Sequence, residues 1–141
     1  MLGTNYGFFR YDAKDGKRRA QREIFPESEY DDVEKKNSSV EHEESQGVYD
    51  VQLMYSTNIS VLIENRNKNT LLLWDDQNAR IFAEKELDEE SDILNMQLLW
   101  DYIFIVQVER VTVMSWKDLI PWMTFRTGRD QPNNKGVFAV S

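Results

Sequence analysis

Thr70-Leu71-Leu72-Leu73-Trp74-Asp75-Asp76-Gln77-Asn78 is the stretch that decides the fold. A short apolar run, closed by four turn-forming residues, reads as a buried strand and its exit turn. Working outward, residues 80–87 form a more alternating run, the pattern of a half-exposed strand. Upstream, Arg66-Asn67-Lys68-Asn69 is polar turn chemistry, residues 59–64 are apolar and β-branched, and Asn58 supplies a turn. Residues 48–55 alternate as a further strand. Four short strands separated by turns make a meander.

The pattern recurs. Residues 93–99, 102–108, 111–116 and 122–125 give another four strands. Gln52-Leu53 is matched by Gln97-Leu98, and Trp74 by Trp116. These offsets fall in the roughly 40–45-residue period of propeller blades. Each repeat is one small sheet that cannot bury both faces alone, so blades must stack to make a core. Gly7-Phe8-Phe9-Arg10-Tyr11-Asp12 resembles a third strand, ending aromatic–Asp like Trp74-Asp75. Residues 17–25 follow as a fourth strand, while the first two strands of that repeat are mostly absent. Gly136-Val137-Phe138-Ala139-Val140-Ser141 reads as the first strand of a further blade. The expectation is an all-β, partial β-propeller of WD40-like four-stranded blades. Residues 1–25 are a partial first blade, 26–47 an acidic disordered loop, 48–88 the second blade and 89–127 the third. Residues 128–141 are a linker and the first strand of a fourth blade.

Composition narrows the function. The 141 residues carry a net charge of -8, which disfavours phosphate backbones and anionic lipid heads, so no nucleic acid is expected as a partner. There is no cysteine, which excludes disulfides, zinc–thiolate sites and cysteine nucleophiles. No apolar run approaches the roughly 18 residues that span a bilayer, and no signal peptide is evident, so a cytoplasmic location is expected. Asn37-Ser38-Ser39 and Asn58-Ile59-Ser60 match the glycosylation acceptor pattern by chance on that reading. The acidic stretch 26–46 reads as a solvated spacer, with a phosphorylatable docking loop through Ser38 and Ser39 as the alternative.

The strand text also resembles a known family. Gly3-Thr4-Asn5-Tyr6-Gly7-Phe8-Phe9-Arg10-Tyr11 is similar to the Gly-Thr…Gly-Phe…Tyr stretch of the first PROPPIN blade. PROPPINs are WD-repeat-like, phosphoinositide-binding propellers of autophagy. Leu72-Leu73-Trp74-Asp75-Asp76 resembles that family's Ile-Trp-Asp-Asp ending in the second blade. Tyr102-Ile103-Phe104-Ile105-Val106 and residues 111–115 resemble the paired strands of the third. Asn134-Lys135-Gly136-Val137-Phe138-Ala139-Val140-Ser141 resembles the opening of the fourth. The resemblance implies a seven-bladed propeller of which this chain holds less than half. It implies binding of phosphatidylinositol 3-phosphate and 3,5-bisphosphate through a Phe-Arg-Arg-Gly motif, whose guanidiniums suit phosphate. That motif is absent from this chain, so a phosphoinositide membrane is expected as partner only in a longer form. Phe125-Arg126-Thr127-Gly128-Arg129 departs from it at Thr127 and reads as an outer strand entering a polar loop.

The resemblance further implies recruitment of autophagy proteins through the face between the second and third blades. It also implies a place at phagophore, endosomal or vacuolar membranes. Where the family carries basic residues before the second strand of blade 3, this chain has Trp100 and Tyr102 flanking Asp101. Those three are the candidate partner-binding residues, with an apolar contact in place of a charged one. A generic WD-repeat adaptor without lipid binding is the alternative.

No catalytic constellation is expected. His42 is the only histidine, it lies among Glu41, Glu43 and Glu44, and no Ser–His–Asp set or metal site follows from it. Glu84, Glu86, Asp88, Glu89 and Glu90 read as a solvated strand end. No P-loop or dinucleotide fingerprint occurs, and no cofactor is implied. Lys17-Arg18-Arg19 with Arg22 is the best basic patch, but alternation on a strand divides it between two faces. Trp74, Trp100, Trp116 and Trp122 read as blade packing.

Overall fold

The computed structural model describes residues 1–4, 6–25, 47–54, 57–87, 91–127 and 132–139. The acidic loop with Ser38, Ser39 and His42 lies outside the described residues, as do Asp88, Glu89, Glu90, Gly128, Arg129, Val140 and Ser141. Along the described residues run β1 (Leu2–Gly3), β2 (Gly7–Tyr11), β3 (Arg18–Glu23), β4 (Val48–Leu53), β5 (Ile59–Glu64) and β6 (Thr70–Asp75). They continue with β7 (Arg80–Glu86), β8 (Asn95–Leu99), β9 (Tyr102–Val106), β10 (Arg110–Ser115) and β11 (Pro121–Arg126).

Pairing is antiparallel and sequential, in three sheets: β1-β2-β3, β4-β5-β6-β7 and β8-β9-β10-β11. These are blades 1, 2 and 3 of a partial propeller. Strand β6 is buried at every position but its last, because both its faces are covered. The outer strands β7 and β11 are largely exposed, which matches their mixed composition.

The three blades share one device at the turn between third and fourth strands. Each third strand shifts register near its end, at Arg10/Tyr11, Leu73/Trp74 and Val113/Met114. A side-chain oxygen then accepts the backbone N–H two residues on: Asp12 from Lys14, Asp75 from Gln77 and Ser115 from Lys117. Each turn ends on a left-handed residue, Gly16 (φ 66), Ala79 (φ 50) or Leu119 (φ 54). These are side-chain-mimicked turns of the kind Asp and Ser favour. The register corrects one expected equivalence. Trp74 corresponds to Met114, the residue after the shift, whereas Trp116 lies in the turn that follows. The Gln52–Gln97 equivalence holds, since Gln52 pairs Val61 and Val61 pairs Leu73, while Gln97 pairs Phe104 and Phe104 pairs Val113.

Two differences concern the ends. Leu2–Gly3 pairs with Phe8 and Phe9 as a two-residue second strand of blade 1. The segment expected as the first strand of blade 4 forms no ladder over its described part, residues 136–139. Asn133 occupies its hydrogen-bonding groups instead, accepting from Val137 N–H and donating to Val137 C=O.

The core lies in the two seams. Met54, Val61, Ile63, Leu71 and Leu73 of blade 2 pack against Ile93, Met96, Ile103, Ile105 and Met114 of blade 3. Phe8 of blade 1 joins Val48, Val51, Leu62, Leu72 and Trp74. Successive residues of β6 therefore serve opposite neighbours, as the period of two requires. Gly7 is required at its place, because a Cβ there would lie 1.9 Å from the Arg22 carbonyl oxygen.

Candidate partner-binding site

Strands β8 and β9 are joined by a two-residue turn, Trp100-Asp101, since Leu99 pairs directly with Tyr102. Such turns need a left-handed residue, and here Trp100 takes it, at φ 53. A bulky side chain in that region costs on the order of 1–2 kcal/mol. Trp100 is nonetheless 73% exposed, so burial does not offset the cost. The backbone conformation holds a large aromatic out at the end of blade 3.

Around it sit groups from the neighbouring turn. Asp101 accepts an ion pair from Lys117 at 3.0 Å, and that ammonium holds the carboxyl below its ordinary pKa. Lys117 also lies over the Trp116 ring, 5.9 Å from its centroid. Tyr102 stacks on Trp122 with ring centroids 5.5 Å apart. Ile120 and Trp122 are both mostly exposed. The end of blade 3 thus carries one solvated ion pair, four aromatics (Trp100, Tyr102, Trp116 and Trp122) and Ile120, residue types enriched at interface cores.

The three expected site residues do not form one surface. Trp100 projects from the turn, Asp101 is turned to Lys117, and Tyr102 lies against Trp122. Tyr102 shares its face with Phe104, opposite to Ile103 and Ile105, so it points away from blade 2. Sequence reasoning missed Lys117 and Ile120, which come from the turn at the same end. Trp122 was read as packing, and the structure leaves it two-thirds exposed.

The seam between blades 2 and 3 is closed by Gln52. Its amide accepts from Leu98 N–H at 3.3 Å and donates to the Met96 carbonyl. Across the other seam, the Arg22 guanidinium grips both oxygens of Asp76, with Nη2 at 3.1 Å. Arg10 approaches the same carboxylate at 3.6 Å. Arg22, more than any other group, holds Asp76 below the ordinary carboxylate range, and burial opposes it. The rest of the basic patch is likewise engaged. Arg19 bonds Asp12 and Asp15, both at 2.9 Å, and Arg18 lies over the Phe9 ring. Phe125 and Arg126 lie on the exposed strand β11.

Burial raises the pKa of Asp50 and of Glu64, the latter with help from Glu84. Glu64 and Arg66 line a cavity of about 170 Å³ with Phe25 and Gly47. Among the described residues no cluster of three or more His, Asp or Glu is placed to hold a metal ion. Asn58 donates to Asp75, and Ser60 is buried, so the described acceptor tripeptide serves the fold.

The fold is that of a PROPPIN-like propeller. In particular, it is similar to Hsv2 from Kluyveromyces marxianus, a PROPPIN, with a TM-score of 0.50 and 14% identity over 56% of this chain. Hsv2 from Kluyveromyces lactis is also similar, at a TM-score of 0.46 and 15% identity over 54% of this chain. The chain spans about a quarter of these proteins, 26% and 23% respectively. No family model and no curated protein matches the sequence.

Proposed function

We propose that this chain is a non-enzymatic propeller module that binds protein through the aromatic end of blade 3. The likeness to a PROPPIN fold supports a place in autophagy-related membrane traffic, with phosphoinositide binding reserved for a longer form. The observation that carries the reading is Trp100, a tryptophan held 73% exposed at positive φ beside the Asp101–Lys117 pair. An aromatic held at positive φ with most of its surface exposed offers a partner a large apolar area to cover.

The test is quantitative affinity capture from cell extract on the wild-type chain and on Trp100→Ala. In parallel, both are sedimented with phosphatidylinositol 3-phosphate vesicles and with neutral vesicles. The expected result is a set of proteins whose capture falls about tenfold or more with Trp100→Ala, and no preference for the phosphoinositide. Equal capture by the two chains refutes the aromatic-end reading. Selective vesicle binding that Arg126→Ala abolishes would move the chemistry to β11.

A further inference from the structure

The Asp101–Lys117 pair shows what kind of group the turn end of blade 3 accepts. Leu99, Tyr102 and Ser115 stand in one row across the sheet, so the turn at 100–101 and the turn at 116–120 emerge side by side. Both leave along the strand direction, off the end of the sheet and not from either of its faces. The Lys117 ammonium crosses between them to the Asp101 carboxylate at 3.0 Å, and stands 5.9 Å from the centroid of the Trp116 ring. Lys117 first, with the Trp116 indole after it, holds the Asp101 carboxyl below its ordinary pKa. A cation is thus already held here by the two groups that recognise cations in general, a carboxylate and the face of an indole.

Lys117 is a replaceable occupant. The side chains of the pair are 60% and 62% exposed, and an exposed pair of this kind adds little stability. A flexible ammonium standing in water can give way to a guanidinium, which takes both carboxylate oxygens and lays its plane on a ring. Trp100 supplies such a ring beside Asp101, at φ 53 and largely exposed. Charge selects the sign of the incoming group. Asp101 and Asp118 against Lys117 leave the two turns with one negative charge in balance, and the whole chain carries -8. An acidic segment seeking Lys117 would have to displace Asp101 against that charge.

We propose that these two turns bind a basic segment of a partner protein, whose arginine displaces Lys117, pairs with Asp101 and packs on Trp100. The inference rests on the partner-binding reading above and names the chemistry of the partner. Lys117 is then an internal competitor. It keeps the Asp101 carboxylate occupied until a better donor arrives, and it discriminates against a lone lysine, which offers no more than Lys117 already does. Arginine, with its fork of donors and its flat face, offers both a second hydrogen bond and a stacking surface.

A displayed library of random peptides, selected at low salt on the immobilised 141-residue chain and counter-selected on Trp100→Ala, supplies the probe. The recovered peptides should share an arginine. One of them, made with a fluorescent label, is then titrated by polarisation against each variant, with circular dichroism as the check on folding. Asp101→Asn should weaken binding about tenfold, as should changing the peptide's arginine to glutamine. Lys117→Gln, which removes the competitor, should tighten binding about threefold. Asp101→Arg should lose the original peptide and bind the one whose arginine is changed to glutamate. Trp100-dependent peptides without a basic residue, an Asp101→Asn variant that binds as well as wild type, a Lys117→Gln variant that binds less well, or a failed charge exchange in a folded Asp101→Arg chain each overturn the proposal and leave the aromatic-end reading standing. Recovery of no peptide that depends on Trp100 overturns both.

Discussion

Replacing Arg22 with Ala should cost about 1.5–2 kcal/mol at neutral pH, and should cost much less in acid. Arg22 and Asp76 stand 54 residues apart, on the outer strand of blade 1 and in the third turn of blade 2. Their side chains are 33% and 15% exposed. Exposed ion pairs contribute roughly 0.2–1 kcal/mol, while breaking a buried pair costs about 3–5 kcal/mol. This pair lies between those limits. The two-pronged geometry favours the upper half, but Arg10 remains to answer Asp76 once Arg22 is gone. The Trp74 indole N–H is near enough to lower the Asp76 pKa further, yet it makes no hydrogen bond of ordinary geometry.

The pH dependence follows from the direction of the Asp76 shift. Its folded-state pKa is depressed, with the Arg22 hydrogen bond as the largest cause. The stabilisation is therefore complete above the unfolded carboxylate value, about 3.9, and is lost as pH falls through the lower folded value. Arg22 has its pKa raised and stays charged throughout, so Asp76 alone sets the window. Urea unfolding of wild type, Arg22→Ala, Asp76→Ala and the double variant, at one protein concentration, measures the pair. A coupling of about 1–2 kcal/mol is expected at pH 7. Additivity within about 0.3 kcal/mol, or an Arg22→Ala penalty that persists unchanged below the folded pKa, would refute the argument.

Two further outcomes are expected. Gln52→Leu removes both amide bonds between the inner strands and leaves the Leu98 N–H and Met96 carbonyl facing an apolar side chain, so stability should fall by about 1–3 kcal/mol in thermal melts. Ser60→Ala should be neutral or stabilising by up to about 1 kcal/mol in urea unfolding, because the buried Ser60 hydroxyl has no protein partner to lose.

What could be read along the chain is what local chemistry encodes. The eight strands of blades 2 and 3 were legible because short β-rich runs alternate with Asn and Asp turns, and their ends agree with the structure to within two residues. The aromatic–Asp endings at Tyr11-Asp12 and Trp74-Asp75 marked a real device, the side-chain-mimicked turn. The same cue misled at Trp116, because blade 3 builds that turn with Ser115 after a methionine. A two-residue strand such as Leu2–Gly3 has no period to detect. The neutralised basic patch was illegible for another reason. Arg22 finds its acid in a different blade, and no local pattern points across 54 residues.

The same division explains where the candidate surfaces lie. Alternation on β5, β6, β9 and β10 assigns each apolar side chain to one of two neighbours, so every complete blade requires two. Blade 2 has both, and its third strand is apolar throughout. On the other face of blade 3 the same alternation buries Val106, Val111 and Val113, while Met123, Phe125 and Trp122 are exposed because they lie on the outer strand, as Ile81 and Phe82 are in blade 2. Trp100 follows a different logic. It is exposed because the hairpin places it at positive φ beyond the end of the sheet, where no neighbouring blade would cover it. The exposure of the first group therefore follows from its place on an outer strand and that of Trp100 from its turn, and only Trp100→Ala is expected to lower partner capture when it is compared with Phe125→Ala in the same assay.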